Sequence, residues 1–120
     1  MAKQLIELHL SITAKQITDM LCQVVESGYS RHWVGTIEIY SRKPQRGYMH
    51  NLMWKHPFGV RVGERGAWYR CAYSNFHTAI QLLAKPKYAY ILSAIIKDEV
   101  DGPMADQFFQ LVVFGEVRYG

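Results

Sequence analysis

The stretch from Pro103 to Gly115 constrains this chain more than any other. Read as a helix, it places Met104, Phe108, Leu111, Val112 and Gly115 on one stripe, while Phe109 and Val113 fall outside it. A helix apolar nearly all round has little face to give to water. It must be buried centrally, with the rest of the chain packed round it, or be covered by another subunit. Asp101 and Gly102 mark a turn before it, and Pro103 suits a first helical turn, where a missing N–H costs nothing. On the second alternative Phe108, Phe109, Val112 and Val113 form an oligomer interface, and a homo-oligomer is the expected assembly.

The rest of the chain divides by period. Over residues 4–10, Ile6, Leu8 and Leu10 alternate with Glu7 and His9, the pattern of a half-buried strand. Thr13 followed by Gln16 makes a capping box. Ile17, Met20, Leu21, Val24 and Val25 then form one helical stripe, which Gly28 closes because it takes the left-handed conformation without strain. Residues 33–40 read as a strand with Ile37 and Ile39 on one face and Thr36 and Glu38 on the other. Residues 41–55, with Pro44 and Gly47, read as a loop. Phe58, Val60 and Val62 alternate with Gly59 and Arg61. Residues 63–66 form a hairpin turn, and residues 67–73 return with Trp68 and Arg70 on one face and Tyr69, Cys71 and Tyr73 on the other.

Ser74 or Asn75 is the expected cap of a helix bearing Phe76, Ile80, Leu83 and Ala84. Pro86 stops it, and Tyr88, Ile91, Leu92, Ile95 and Ile96 make a further stripe. Strands and helices are thus segregated along the chain. The expected fold is α+β: a small antiparallel sheet of about four strands packed by an N-terminal helix and three C-terminal helices, in a single domain over all 120 residues.

Charge is distributed unevenly. The whole chain has 14 Lys and Arg against 10 Asp and Glu. Residues 29–70 hold eight of those bases and only two of the acids, Glu38 and Glu64, so the entire positive excess lies in the middle third. Six of the eight are arginines, Arg31, Arg42, Arg46, Arg61, Arg65 and Arg70, whose planar fork meets phosphate or carboxylate through two hydrogen bonds at once. The same segment carries Tyr29, Trp33, Tyr40, Tyr48, Trp54, Phe58, Trp68 and Tyr69. It is either a solvated sheet face with its rings in the core, or a surface that pairs with phosphates and stacks bases. The asymmetry favours an anionic partner. Arg61, Trp68 and Arg70 are the candidate ligand-binding residues on the sheet, with Arg42 and Arg46 rimming it from the loop.

Other chemistries find little support in the residues. Cys22 and Cys71 lie far apart and read as buried apolar side chains. His9, His32, His50, His56 and His77 show no metal-ligand spacing, and the serines sit in no glycine-flanked elbow. Asp98, Glu99 and Asp101 cluster at a helix end, the usual place for a solvated turn. Gly59, Gly63 and Gly66 lack the lysine and hydroxyl of a phosphate loop. No catalytic residue, metal or cofactor is expected. Apolar runs are too short to span a bilayer, and no charged segment leads into one, so the expected location is the cytoplasm without membrane partners.

Two stretches carry a resemblance. One is Ile12-Thr13-Ala14-Lys15-Gln16-Ile17, running through Leu21 to Val25-Glu26-Ser27-Gly28 and then Trp33. The other is Ala105-Asp106-Gln107-Phe108-Phe109-Gln110 with Phe114-Gly115-Glu116-Val117-Arg118-Tyr119-Gly120. Together they resemble a group of short bacteriophage and prophage proteins with a helix ending near Glu-Gly-Gly, an aromatic soon after, and a closing Phe-Gly-Glu-hydrophobic-x-Tyr-Gly. The helix pair broken at Pro86 is similar too. Ser27 replaces the first glycine of the group's pair, and the loop from Ser41 to His56 has no counterpart. The resemblance implies a mobile-element origin and brings no catalytic residue or cofactor. It implies a non-enzymatic accessory protein acting in the host cytoplasm against a host defence system. Such a protein would sequester an anionic nucleotide signal or dock on the nucleic-acid-facing surface of a defence complex. Direct DNA or RNA binding is the alternative.

Overall fold

The computed structural model describes residues 10–120. The strand expected over residues 4–10 therefore lies, with His9, almost wholly outside the described residues. The remaining elements follow the α+β expectation. Helix α1 (Ala14–Leu21) runs into a wide π turn (Cys22–Glu26), followed by a 3₁₀ turn (Tyr29–His32) and strand β1 (Val34–Ile39). Helix α2 (Met49–Lys55) precedes the hairpin of β2 (Phe58–Val62) and β3 (Trp68–Cys71). Helix α3 (Tyr73–Leu82), a 3₁₀ turn (Pro86–Tyr88), α4 (Ala89–Ile96) and α5 (Gly102–Phe114) complete the chain. The sheet is antiparallel in the order β1-β2-β3, with three strands among the described residues.

The local signals at element ends act as their chemistry predicts. The Thr13 hydroxyl accepts the Gln16 N–H at 3.1 Å, and the Gln16 side chain accepts the Thr13 N–H at 2.8 Å. Gly28 closes the segment at φ 75°. Asp101 caps α5 by accepting the Met104 N–H at 2.9 Å. The α3 cap differs from expectation. Tyr73 is already helical, so Asn75 is the third helical residue rather than the cap. Its side chain reaches back to accept the Ala72 N–H at 2.9 Å and donates to the Val112 carbonyl at 3.1 Å.

Helix α5 is the centre of the protein. It is packed by α1, α3, β3 and the turn before β1. Phe108, Phe109, Leu111 and Val112 are at most 1% exposed and Val113 is 7% exposed, all within this one chain. The interface expected at Phe108, Phe109, Val112 and Val113 is thereby corrected. Those side chains share one core cluster with Ile17, Leu21, Trp33, Phe58 and Phe76 of the same chain and leave almost no surface for a second subunit.

Two buried polar residues sit in this largely apolar helix. The Asp106 carboxylate accepts from the Ser30 hydroxyl, from the Trp33 indole N–H at 2.7 Å and from the Gln110 amide at 2.9 Å. Gln110 in turn donates to the Tyr119 carbonyl and accepts the backbone N–H groups of Arg118 and Tyr119. A charge this deep is tolerable only with its donors in place. Trp33 lies parallel to the Tyr119 ring, 5.9 Å between centroids, so the C-terminal strap closes over the same network.

Residues 41–55 hold more order than a loop. Helix α2 buries Met53 and partly buries Met49 and Leu52. It has no local side-chain cap. Glu26, at the end of the π turn, supplies one instead: its carboxylate accepts the His50 N–H at 3.2 Å and meets the His50 ring at 3.1 Å. His50 is therefore an anchor between this helix and the π turn. Burial pushes the Glu26 carboxyl up, but the His50 ring and the neighbouring backbone N–H groups outweigh it and leave the group below its ordinary value of 4.5.

Replacing Asp106 with alanine strands three buried donors. We expect a loss of about 3–5 kcal/mol, read as a fall in urea midpoint. For Glu26 the sign follows from its lowered value. The folded protein holds this proton less tightly than the unfolded chain, so the tie stabilises above 4.5 and is lost as pH falls through the lowered value. Glu26→Gln should flatten that acid limb of the stability profile measured by urea titration at stepped pH.

Candidate functional site

Strand alternation builds the site. Phe58, Val60 and Cys71 turn inward and are fully buried, and Ile37 and Ile39 line the same side. Their neighbours go to the opposite face. Register sets two rows across the sheet there: Thr36, Arg61 and Trp68 form one, and Glu38, Gly59 and Arg70 form the next. Tyr40 extends β1 by donating its N–H to the Pro57 carbonyl at 2.8 Å, and its side chain returns to this outer face.

On that face the Arg61 guanidinium stands 6.0 Å from the centre of the Trp68 ring, and the Arg70 guanidinium 4.9 Å from the centre of Tyr40. Gly59 makes the arrangement possible. A Cβ there would lie 2.2 Å from the Tyr40 hydroxyl oxygen and 3.3 Å from a Trp68 ring carbon, so the bare backbone is the floor on which both rings rest. Trp68 remains 45% exposed. Among the described residues neither arginine enters an ion pair. The Arg61 Nε is buried and meets no acceptor among them. Two uncompensated planar cations on two rings can hold anionic oxygens and offer flat surfaces for stacking.

The structure thus brings together Arg61, Trp68 and Arg70 and adds Tyr40. Sequence alternation through Thr36 and Glu38 would have pointed to Tyr40, since it continues the same face. The two loop arginines are not gathered with them. Arg42 lines a groove beside the inward-facing Ile37 and Ile39, together with Lys43, and Arg46 is exposed in the loop. Two of the three indoles also leave the expected surface. Trp33 is 2% exposed beside Asp106, and Trp54 packs edge-on against Phe76. Tyr69 turns to the other side, where its ring meets Phe114 edge-on and its hydroxyl accepts from Arg118 at 3.0 Å.

Cys71 and Ser30 are engaged in structure. Burial pushes the Cys71 thiol up to about 12, which keeps it protonated and unreactive. Ser30 and His32 both lie by Asp106, but the Ser30 hydroxyl is buried and donates to the carboxylate itself, leaving no activated oxygen. Among the described residues no three His, Cys, Asp or Glu side chains gather as a metal site, and no helix is long and apolar enough to cross a membrane. Comparison of the chain with protein-family models, with curated proteins and with solved structures finds no match.

Gly59→Ala should press a methyl group into the Tyr40 hydroxyl, at a cost of about 1–3 kcal/mol. Adding Tyr40→Ala should recover most of that loss, a non-additivity readable in thermal melts of the single and double variants.

Proposed function

We propose that this protein is a non-enzymatic binding protein whose outer sheet face takes an anionic nucleotide or nucleic-acid ligand. Arg61 and Arg70 hold phosphate oxygens, and Trp68 and Tyr40 stack the bases. The observation that carries the reading is the pairing of each arginine with a ring on one open face, with no carboxylate of the described chain pairing with either. In the setting that the sequence resemblance implies, this is a phage accessory protein in the host cytoplasm. It counters a defence system by holding a nucleotide signal or by occupying the nucleic-acid-facing surface of a defence complex.

Direct binding of DNA or RNA is the second reading, and the shape of the face favours it. Small ligands are usually enclosed in a concave site. Here the rings lie side by side on a sheet, as on platforms that stack successive bases of a single strand.

The test is a fluorescence-anisotropy titration with a labelled single-stranded oligonucleotide, and in parallel with mononucleotides and dinucleotides, over rising salt. Log affinity for the strand should fall linearly with log salt, and the paired substitutions Arg61→Ala and Arg70→Ala should reduce that slope by about 1.4 for two lost phosphate contacts. Trp68→Ala should cost about 1–3 kcal/mol of binding. Binding to nucleotides alone selects the signal-holding reading. Affinity for neither, or affinity indifferent to Trp68, overturns the assignment of this face.

A further inference from the structure

We infer that the edge of β1 away from β2 is a docking site for an extended, acid-flanked segment of a partner protein, which adds to the sheet as a further strand. This rests on a different surface from the outer face and does not depend on it. In the order β1-β2-β3, β1 has no neighbour on its far side among the described residues. Its hydrogen-bond parity is set by Tyr40, whose N–H goes to Pro57 in the β2 direction. Alternation then directs the N–H and C=O groups of Ile37 and Ile39 outward, toward the edge where no described strand pairs with them. A row of this kind is a template for another strand.

The ground beside that edge is shaped for one. Two adjoining hollows of about 240 and 570 Å³ share Ile37 and Met49, so they form one groove along the strand. Val25 and Val34 line the first, and Ile39 and Leu52 the second. Side chains of an added strand that point to the core side recur about every 7 Å, which suits successive apolar residues at alternate positions. The six residues of β1 give room for about five or six partner residues.

Charge decides the occupant. Arg31 stands at one end of the groove and Arg42 with Lys43 at the other. Among the described residues none of the three is in an ion pair. The one acid along the strand, Glu38, alternates to the outer face. A second copy pairing antiparallel about Ile37 would set Arg31 of each chain beside Arg42 and Lys43 of the other, like charge on like. The register shift between Val34 and Thr36 further spoils self-pairing. An extended segment with apolar residues at alternating positions and carboxylates at both ends meets the groove, the edge and the cations together.

The probe is a labelled synthetic peptide with alternating Val and Thr flanked by two acids at each end. Two controls accompany it: the same core flanked by lysines, and the acidic peptide N-methylated at alternate backbone positions, made in both phases. Binding is read by anisotropy, and backbone amide exchange by NMR. We expect the acidic peptide to bind at least tenfold tighter than the lysine version. One N-methyl phase should lose tenfold or more, and Arg42→Glu with Lys43→Glu should lose a similar factor. Bound peptide should slow exchange of the Ile37 and Ile39 amides tenfold. Absence of binding, indifference to flanking charge, or indifference to both N-methyl phases overturns the inference, and so does slow exchange of the Ile37 and Ile39 amides before any peptide is added, which means that the edge is already paired. Sedimentation showing a concentration-dependent dimer abolished by Ile37→Glu overturns it in favour of a second copy.

Discussion

A carboxylate sealed beneath an indole ring has to be surrounded by donors, and Asp106 is held by three. Its place in the largely apolar α5 fixes more than one side chain. Ser30 and Trp33 belong to the turn that launches β1, so their bonds to Asp106 set where the sheet begins relative to the central helix. Gln110, one helical turn on, holds the backbone of Arg118 and Tyr119 and folds the C-terminal strap over the same Trp33. Apolar packing around α5 supplies most of the driving force, but it would accept many rotations of that helix. The buried hydrogen bonds accept far fewer, because an unpaired donor there costs about 1–3 kcal/mol.

Much of this was legible from sequence where the determining partners are near neighbours. The Thr13 and Gln16 box, the left-handed Gly28, the turn over residues 63–66 and the alternation of Trp68 with Tyr69 all act over a few residues, and they place α1 and the hairpin as expected. The all-round apolarity of α5 did say that it must be covered. It left open whether by its own chain or another, since hydrophobicity carries no address. What escaped reading depends on distant partners. Helix α2 is capped by Glu26 from across the fold, so no local cap announces it, although Met49, Leu52 and Met53 fall at helical spacing. Trp33 and Trp68 are the same residue type in the same basic segment. One is buried because an aspartate 73 residues away receives its N–H, and the other faces out because a strand alternates.

The arginine-rich middle of the chain serves two surfaces that meet along β1. Period two sends Arg61 and Arg70 to the outer face with the rings, while the chain leaving the end of β1 carries Arg42 and Lys43 to the edge groove. A positive excess that reads as one patch in sequence is thus divided by a sheet one residue thick. On the two proposals made for these surfaces, the division separates two kinds of recognition. Cations laid flat on rings suit ligands with planar groups and phosphate, whereas cations at the ends of an apolar channel suit an extended backbone with charged flanks.

The wide turn at Cys22–Glu26 bears on how this architecture tolerates changes of length. Its backbone closes from Ser27 N–H to the Cys22 carbonyl, five residues back, so it contains one residue more than a regular helical turn. The surplus residue is absorbed within that one turn, so the chain on either side keeps nearly the phase of an uninterrupted helix. Removing it would restore ordinary pitch while the stripe of Ile17, Met20 and Leu21 kept its seat and Glu26 stayed on the side of His50. The wide turn is therefore the place where this helix can change length by one residue without losing either of the partners at its two ends.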